Sequence, residues 1–208
     1  MTNVLVVTSS AQGSQSLSGD LAAYFVTELQ AVDPALVVTH RDVGANPLPH
    51  LVSETVAGIR AEPKTPAEHQ ARALSDALIA ELQAADVVVI GSPMYNFGIS
   101  STLKAWFDHV LRARVTFRYT ENRPVGLLAG RKAVVIETRA GVYSEGPAAV
   151  MDGQEPHLRA MLSFVGLDDA RFVRVEGTAF GPEAAEAAKA KARDELTRIA
   201  QQFVPEFA

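Results

Sequence analysis

Cysteine is absent from this chain of 208 residues. Its absence excludes a disulfide scaffold, a cysteine-ligated zinc or iron–sulfur site and a thiol nucleophile. Long apolar runs are also missing, and runs such as residues 87–90 and 134–136 are far shorter than a membrane span. Residues 1–7 enter a strand-like run with no basic region ahead of it, which predicts that the chain carries no signal peptide.

An excess of positive charge is missing as well. The chain has 19 Lys and Arg residues against 24 Asp and Glu residues, a net charge of −5, and nothing supplies the basic stripe typical of nucleic-acid binders. The length favours a single domain over residues 1–208 with a large buried core. We therefore expect a cytoplasmic globular protein whose chemistry uses carboxylates, hydroxyls, imidazoles, a metal or a borrowed cofactor.

Five short runs rich in Val, Ile and Leu predict buried strands. Apolar side chains at consecutive positions are typical of strands covered on both faces, as in parallel sheets. The runs are residues 4–7, 36–39, 87–90, 133–137 and 172–175.

Segments with helical periodicity lie between and after these runs, at residues 16–31, 65–82, 101–111, 158–165 and 182–203. The second begins with Thr65, Pro66 and Glu68, which combine a helix cap, proline at the first helical position and a glutamate three residues after the cap. Strand–helix alternation repeated five times predicts a doubly wound α/β fold. Five parallel strands favour the flavodoxin-like order 2-1-3-4-5 over a six-stranded dinucleotide fold.

Two segments are longer than a plain connection needs, residues 41–64 and 115–131. The second contains an alternating stretch, residues 116–119, followed by a turn-like stretch, residues 121–124, which together predict a hairpin. Long loops in compact domains commonly serve as lids or binding walls.

Ligands of open α/β sheets bind beyond the carboxyl ends of the strands, where the winding reverses. For the predicted order this place lies between the first and third strands. The segments to examine are therefore residues 8–16, 91–100 and 138–143, which follow the first, third and fourth strands.

The first segment is a hydroxyl-rich turn that runs into a helix. Free backbone N–H groups, the positive end of the helix dipole and serine hydroxyls together suit an anion. Neither the G-x-G-x-x-G spacing nor a P-loop lysine is present, so a monophosphate held by neutral donors fits better than a dinucleotide or a triphosphate. An ordinary serine helix cap is the alternative.

The other two segments suit a flat ring. Tyr95 and Phe97 could frame an apolar ring system whose polar rim Asn96 and backbone amides satisfy; alternatively, the two aromatic side chains cap the core. The small residues after Thr138 let a ligand ring approach the backbone closely, although a plain turn between strand and loop would look the same.

At these residues the chain resembles the FMN-dependent NAD(P)H:quinone oxidoreductases and azoreductases, the bacterial azoreductase family related to DT-diaphorase. The Met-Tyr-Asn-Phe block followed by Leu-Lys-x-Trp-Phe-Asp is highly specific, and the matches keep the family's order over nearly the whole chain. The matching stretches are residues 9–10, 14–16, 93–97, 103–108, 116–121, 146–147 and 181–182.

The resemblance implies roles by position. The cofactor-binding residues would be Ser10, Ser14, Gln15 and Ser16 around the FMN phosphate; Met94, Tyr95, Asn96 and Phe97 along the ribityl chain and ring; and Thr138, Arg139, Ala140 and Gly141 at the pyrimidine edge. Tyr119, Tyr143 and Met161 would line the substrate pocket.

The function implied is a two-electron reduction of quinones and azo compounds. NADH or NADPH would deliver a hydride to flavin N5 in a ping-pong relay, and the protein would be a homodimer with active sites at the subunit interface. No residue of the chain acts as nucleophile, and no nucleic acid, membrane or metal is implied. The alternatives are a flavodoxin-type electron shuttle, against which the mild charge of −5 argues, and a flavin-binding regulatory protein.

The chain departs from the family pattern at three positions. Ala140 stands where relatives often have glycine, Tyr143 where they often have histidine, and Met161 where some have an aromatic residue. Five scattered histidines, which show no metal-ligand spacing, are predicted to lie at the surface or in loops: His40, His50, His69, His109 and His157.

Overall fold

The computed structural model describes residues 2–203. In chain order the elements are β1 (Asn3–Thr8), α1 (Leu17–Val32), β2 (Val37–Asp42), α2 (Val56–Arg60), α3 (Pro66–Ala84), β3 (Val87–Pro93), α4 (Ser101–Val110), β4 (Phe117–Tyr119), β5 (Pro124–Gly126), β6 (Lys132–Thr138), α5 (Glu155–Phe164), β7 (Arg171–Val175) and α6 (Pro182–Phe203). Short 3₁₀ turns precede α1 and α5.

The five long strands form one parallel sheet in the order β2-β1-β3-β6-β7. Counted among themselves they run 2-1-3-4-5, so the predicted fold and strand order are confirmed. The winding reverses between β1 and β3, which pair directly. The carboxyl ends of β1, β3 and β6 therefore lie side by side.

The sheet separates two apolar cores because neighbouring side chains on a strand point to opposite faces. In β1, Val4 and Val6 pack with α1 and α6 on one face. Leu5 and Val7 pack with α3, α4 and α5 on the other. Both faces are covered, which explains why these strands are apolar at consecutive positions.

One of the five runs differs from its prediction. Residues 37–39 of this run begin β2, but this strand is at the edge of the sheet and all six of its side chains are at least partly exposed. Val37 is 45% exposed, whereas Leu36 just ahead of the strand is buried. The prediction of a buried strand is therefore wrong here, because the faces of β2 are only partly covered and none of its side chains is buried.

Both long connecting segments, residues 41–64 and 115–131, contain secondary structure. The five-residue helix α2 lies within residues 41–64, where the sequence predicts only a loop. In the second segment β4 and β5 form the predicted antiparallel hairpin, with Phe117 paired to Gly126 and Tyr119 to Pro124.

Within residues 2–203, no helix combines the length and the apolar character needed to cross a bilayer.

Candidate functional site

A cavity of about 200 Å³ lies at the carboxyl ends of β1, β3 and β6. The structure thus brings the three segments singled out in the sequence to one place. The cavity is lined by Ser10, Gln12, Ser16, Leu17, Ser18, Pro93, Met94, Tyr95, Thr138, Arg139, Ala140 and Thr178.

The serine-rich turn supplies neutral hydrogen-bonding groups to this cavity. Ser16 is the cap of α1, and its hydroxyl accepts from the Gly19 amide at 3.0 Å and lies 3.2 Å from the Ser18 hydroxyl. Leu17 and Ser18 are the first residues of the helix, whose amides have no acceptor within it. The lining contains no Asp or Glu side chain. The donor set therefore suits an anion such as a phosphate monoester.

The turn after β3 has a strained backbone. Asn96 and Phe97 adopt φ angles of 47° and 71°, and Tyr95 and Gly98 exchange two backbone hydrogen bonds across them. Such left-handed residues are typical of a tight two-residue hairpin turn, and a bulky side chain there is costly. The Tyr95 hydroxyl accepts from the Ala11 amide at 3.1 Å, which joins this turn to the serine-rich turn.

A second cavity of about 210 Å³ adjoins the first and shares Met94 and Ala140 with it; its other lining residues are Asn96, Phe97 and Tyr143. The rings of Phe97 and Tyr143 meet edge to face with centroids 6.0 Å apart. Phe97 is 44% exposed, so this ring does not cap the core, and that alternative interpretation is wrong for it.

The turn after β6 is held from both sides. The carbonyl of Thr138 accepts from the Met94 amide at 2.9 Å, and the carbonyl of Ala140 accepts from the Ala179 amide at 3.0 Å. Within residues 2–203, the only residues other than glycine with positive φ are Asn96, Phe97 and Arg114. Ala140 therefore needs no left-handed conformation, and alanine at this position costs no backbone strain.

The Arg139 side chain points away from the cavity into a buried network of ions. Its guanidinium lies 2.7 Å from Glu137, 3.0 Å from Glu176 and 3.1 Å from Asp152. Its Nε donates to Gln154, whose side-chain amide donates to the carbonyl of Ser92 at 2.8 Å. The network thus ties β3, β6 and the segment after β7 together beneath the cavity.

The pKa values of two carboxylates in and beside this network are shifted in opposite directions. Burial, together with the neighbouring carboxylates Glu155 and Asp152, raises the pKa of Glu137 to about 8, although Arg139 opposes this. Oε1 of Glu137 is buried without a hydrogen-bond partner. Burial also raises the pKa of Glu155, but hydrogen bonds from Arg174 and Arg159 outweigh it and lower the pKa to about 2.

Five predicted site residues line neither cavity. Ser14 and Gln15 are exposed on the 3₁₀ turn before α1. Gly141 is partly buried next to the lining residue Ala140. Tyr119 is 70% exposed on β4, and its ring packs edge to face against Phe117.

Met161, predicted to lie in the substrate pocket, is the fifth such residue. It is only 7% exposed and belongs to the core between α5 and the sheet. The reason is helical spacing, since Leu158, Met161, Leu162 and Val165 form the i, i+3, i+4, i+7 stripe that α5 turns inward.

Several residues that line the first cavity lie outside the predicted site residues. Thr178 follows β7, which is outside the three segments predicted to form the site; because β7 lies next to β6, its loop reaches the same edge of the sheet. Gln12 and Ser18 lie within or just beyond the serine-rich turn. Ser18 could have been predicted from its position in the first turn of α1, because residues in the first turn of a helix lie next to an anion bound at the helix N-terminus.

His109 also differs from its prediction. It is 1% exposed on α4 and its Nε2 lies 2.9 Å from the carbonyl of Pro49. Within residues 2–203, no group of three or more potential ligands is placed to hold a metal ion.

Comparison with known proteins identifies the family. A family model for the flavodoxin-like fold matches residues 2–200. A protein of Hyphomonas neptunium named FMN-dependent NADH:quinone oxidoreductase is 50% identical over 203 residues, which are 98% of each chain. A protein of Escherichia coli with the same name is 47% identical over 201 residues, covering 96% of this chain and 98% of the relative.

A solved structure supports the same family assignment. The crystal structure of an azoreductase from Bacillus anthracis is 30% identical, with a TM-score of 0.89 over 98% of this chain and 100% of the other. The chain belongs to the family of FMN-dependent NADH:quinone oxidoreductases and azoreductases, which has the flavodoxin-like fold.

Proposed function

We propose that the chain is an FMN-dependent enzyme that uses NADH to reduce quinones and azo compounds. The observation that carries the proposal is the pair of adjoining cavities, one suited to an anion and one suited to a flat ring, in a chain 50% identical to an FMN-dependent NADH:quinone oxidoreductase. The prediction that residues 1–208 form one FMN-binding domain in the cytoplasm belongs to this proposal.

The hydrogen-bond donors of the first cavity suit the phosphate group of FMN. The cofactor's phosphate would be held by the hydroxyls of Ser10, Ser16 and Ser18 and by the start of α1, where neutral donors and the helix dipole stabilise a dianion. Ser14 and Gln15, exposed on the turn ahead of Ser16, would contribute from the solvent side.

The second cavity fits the ring system. Met94, Tyr95, Asn96 and Phe97 would border the ribityl chain and ring. Thr138, Ala140 and Gly141, with the backbone of Arg139, would face the polar edge. Gly141 sits close to Tyr143, since a Cβ there would meet the tyrosine hydroxyl at 3.1 Å.

Bound FMN would supply the redox step, taking a hydride from NADH and passing two electrons to the acceptor. The chain's own residues orient and enclose it. Phe97 and Tyr143 would form the wall against which donor and acceptor lie in turn, and sharing one place implies ping-pong kinetics. Backbone amides fixed around Thr138 and Ala140 would stabilise negative charge at the polar edge.

The test is stopped-flow absorbance of the purified, FMN-loaded protein. NADH should bleach the flavin rapidly, and a benzoquinone should restore its colour without a radical signal. NADPH serves as the comparison for donor preference. Failure of both nicotinamides to bleach the flavin would overturn the proposal in favour of an electron shuttle.

We also propose a homodimer with the sites at the subunit interface. Its support is the exposed apolar surface, since Val150, Tyr119 and Phe180 are 92%, 70% and 69% exposed. In a dimer Tyr119 could reach a partner's substrate pocket, although it lines no cavity of its own chain. Sedimentation velocity should give twice the chain mass, and Val150→Asp should shift it towards the monomer; a wild-type monomer at working concentration would contradict the dimer.

A further inference from the structure

Glu176 lies directly after β7 and binds the loop that carries Tyr143. Its carboxylate accepts from the amide of Tyr143 at 2.8 Å, from the amide of Ser144 at 3.0 Å and from the Ser144 hydroxyl. It also accepts from Arg139 at 3.0 Å. One carboxylate therefore joins two adjacent loop residues to a buried cation.

The cation is a fixed anchor. Arg139 is 1% exposed, and its guanidinium is also bound by Glu137, Gln154 and Asp152. Burial raises the pKa of Glu176, but hydrogen bonds from Ser144, the Tyr143 amide and Arg139 outweigh it and keep the pKa below its ordinary value. Glu176 consequently stays charged at neutral pH, and charge-assisted hydrogen bonds are stronger than neutral ones.

The loop depends on this carboxylate for its position. Upstream, the backbone carbonyls of Ala140 and Gly141 accept from Ala179 and Gly177, each at 3.0 Å. Downstream of Ser144 the chain is exposed up to Gly146, which has a positive φ of 70°. Glu176 holds the stretch between, and this stretch carries the ring that faces Phe97.

We propose that Glu176 is a positioning residue that fixes the Tyr143 wall of the ring cavity and so sets its fit to planar acceptors. The inference rests on the proposed function and extends it, because it assigns control of acceptor binding to a residue that lines neither the anion cavity nor the ring cavity. Glu176 would act through Tyr143 and not through the cofactor.

The test replaces Glu176 by glutamine, which keeps the size of the side chain and removes its charge. Amide hydrogen exchange at Tyr143 and Ser144 should be faster in E176Q, with or without FMN. With NADH as donor, the KM for a benzoquinone should rise about five-fold or more while kcat stays within about two-fold, as expected when an interaction common to ground and transition state is lost.

Glu81→Gln is the matched control, since it removes the same charge from a carboxylate on α3 that pairs with Arg41. It should change neither exchange at Tyr143 and Ser144 nor the KM. Ser144→Ala removes a single bond to Glu176 and leaves the ion network untouched; it should change exchange and KM in the same direction by less. This variant decides the question if E176Q does not fold.

Two readouts separate failure of this inference from failure of the proposed function. Equilibrium binding of anthraquinone-2-sulfonate to the FMN-loaded protein needs no turnover, and E176Q should weaken it while FMN affinity stays within about two-fold. A wild-type protein whose flavin NADH does not bleach would overturn the function alone. An E176Q protein that matches E81Q in exchange or in planar-ligand binding would overturn the role of Glu176.

Discussion

Phe97 is the residue at which backbone strain and site geometry meet. Its φ of 71° places a large aromatic side chain where glycine is favoured, and the ring is 44% exposed. Such conformations cost about 1 to 3 kcal/mol and persist where the surrounding structure enforces them. Here the Phe97 carbonyl accepts from the Gly153 amide at 2.9 Å, which locks the turn against the segment before α5.

We expect Phe97→Gly to separate stability from function. Asn-Gly is the preferred pair for this turn, so the free energy of unfolding should stay equal or rise by about 0.5 to 1 kcal/mol. Loss of the ring from the cavity wall should lower kcat/KM for quinones by about ten-fold or more. Urea unfolding and steady-state rates measure the two effects.

Arg114 provides the control, because it is the third described non-glycine residue with positive φ, at 67°, and lines neither cavity. Arg114→Gly should relieve similar strain without loss of activity. A Phe97→Gly protein that is destabilised as strongly as a core truncation would show that Phe97 serves the core after all.

Individual site residues could be predicted where their position followed from a strand end. Ser10 and Met94 come just after β1 and β3, Thr138 is the last residue of β6, and all three line the cavity. Side-chain direction was harder. Arg139 follows the same rule, yet its guanidinium turns into the ion network, because partners distant in sequence, such as Glu176, decide its direction.

At the scale of elements, two helix N-caps of similar chemistry have different surroundings. Ser16 caps α1 at the anion cavity, whereas Thr65 caps α3 with a full capping box away from it. Both side chains accept from the backbone amide three residues on. Comparing the two therefore separates the contribution of an N-cap to folding stability from its contribution to anion binding.

We expect Ser16→Ala and Thr65→Ala to destabilise the FMN-free protein alike, each by about 0.5 to 2 kcal/mol. Only Ser16→Ala should also weaken FMN binding, by about ten-fold, because it removes a donor next to the helix start. Thermal unfolding and quenching of FMN fluorescence measure these effects. Equal FMN affinity in the two variants would contradict the phosphate site at α1.

The sequence predicts elements best where their burial is simple. The four runs that became β1, β3, β6 and β7 are largely buried as expected, since their side chains pack into the two cores on either face of the sheet. The sequence of β2 resembles these runs, but its side chains are only partly covered at its edge of the sheet, and the sequence pattern does not show this. The helix α2 has five residues, which is too short for a periodic pattern.

For the whole molecule, the buried network makes stability depend on pH. The pKa of Glu137 is about 8 in the folded chain against an ordinary value of 4.5. Between these values the folded chain keeps a proton that the unfolded chain releases. The free energy of unfolding is therefore highest below pH 4.5 and falls as the pH rises from there to about 8.

Glu137→Gln should remove this dependence, because glutamine resembles the protonated acid. The variant should match the wild type near pH 5 and exceed its stability near pH 8.5 by roughly 2 to 4 kcal/mol. Urea unfolding at both pH values measures the difference. Glu186→Gln, at an exposed pair with Lys189, is the control and should follow the wild type; a Glu137→Gln protein with the wild-type slope would refute the prediction.

The anion cavity draws its lining from chain segments that extend from Ser10 to Thr178. During synthesis the first of these emerges early, and the last follows only after β7 has been made. A ligand held across the cavity can therefore load only after nearly the whole chain has been translated. From then on it binds the folded form alone and adds its binding free energy to stability, so a cell short of the ligand would hold a pool of chains more easily digested by proteases.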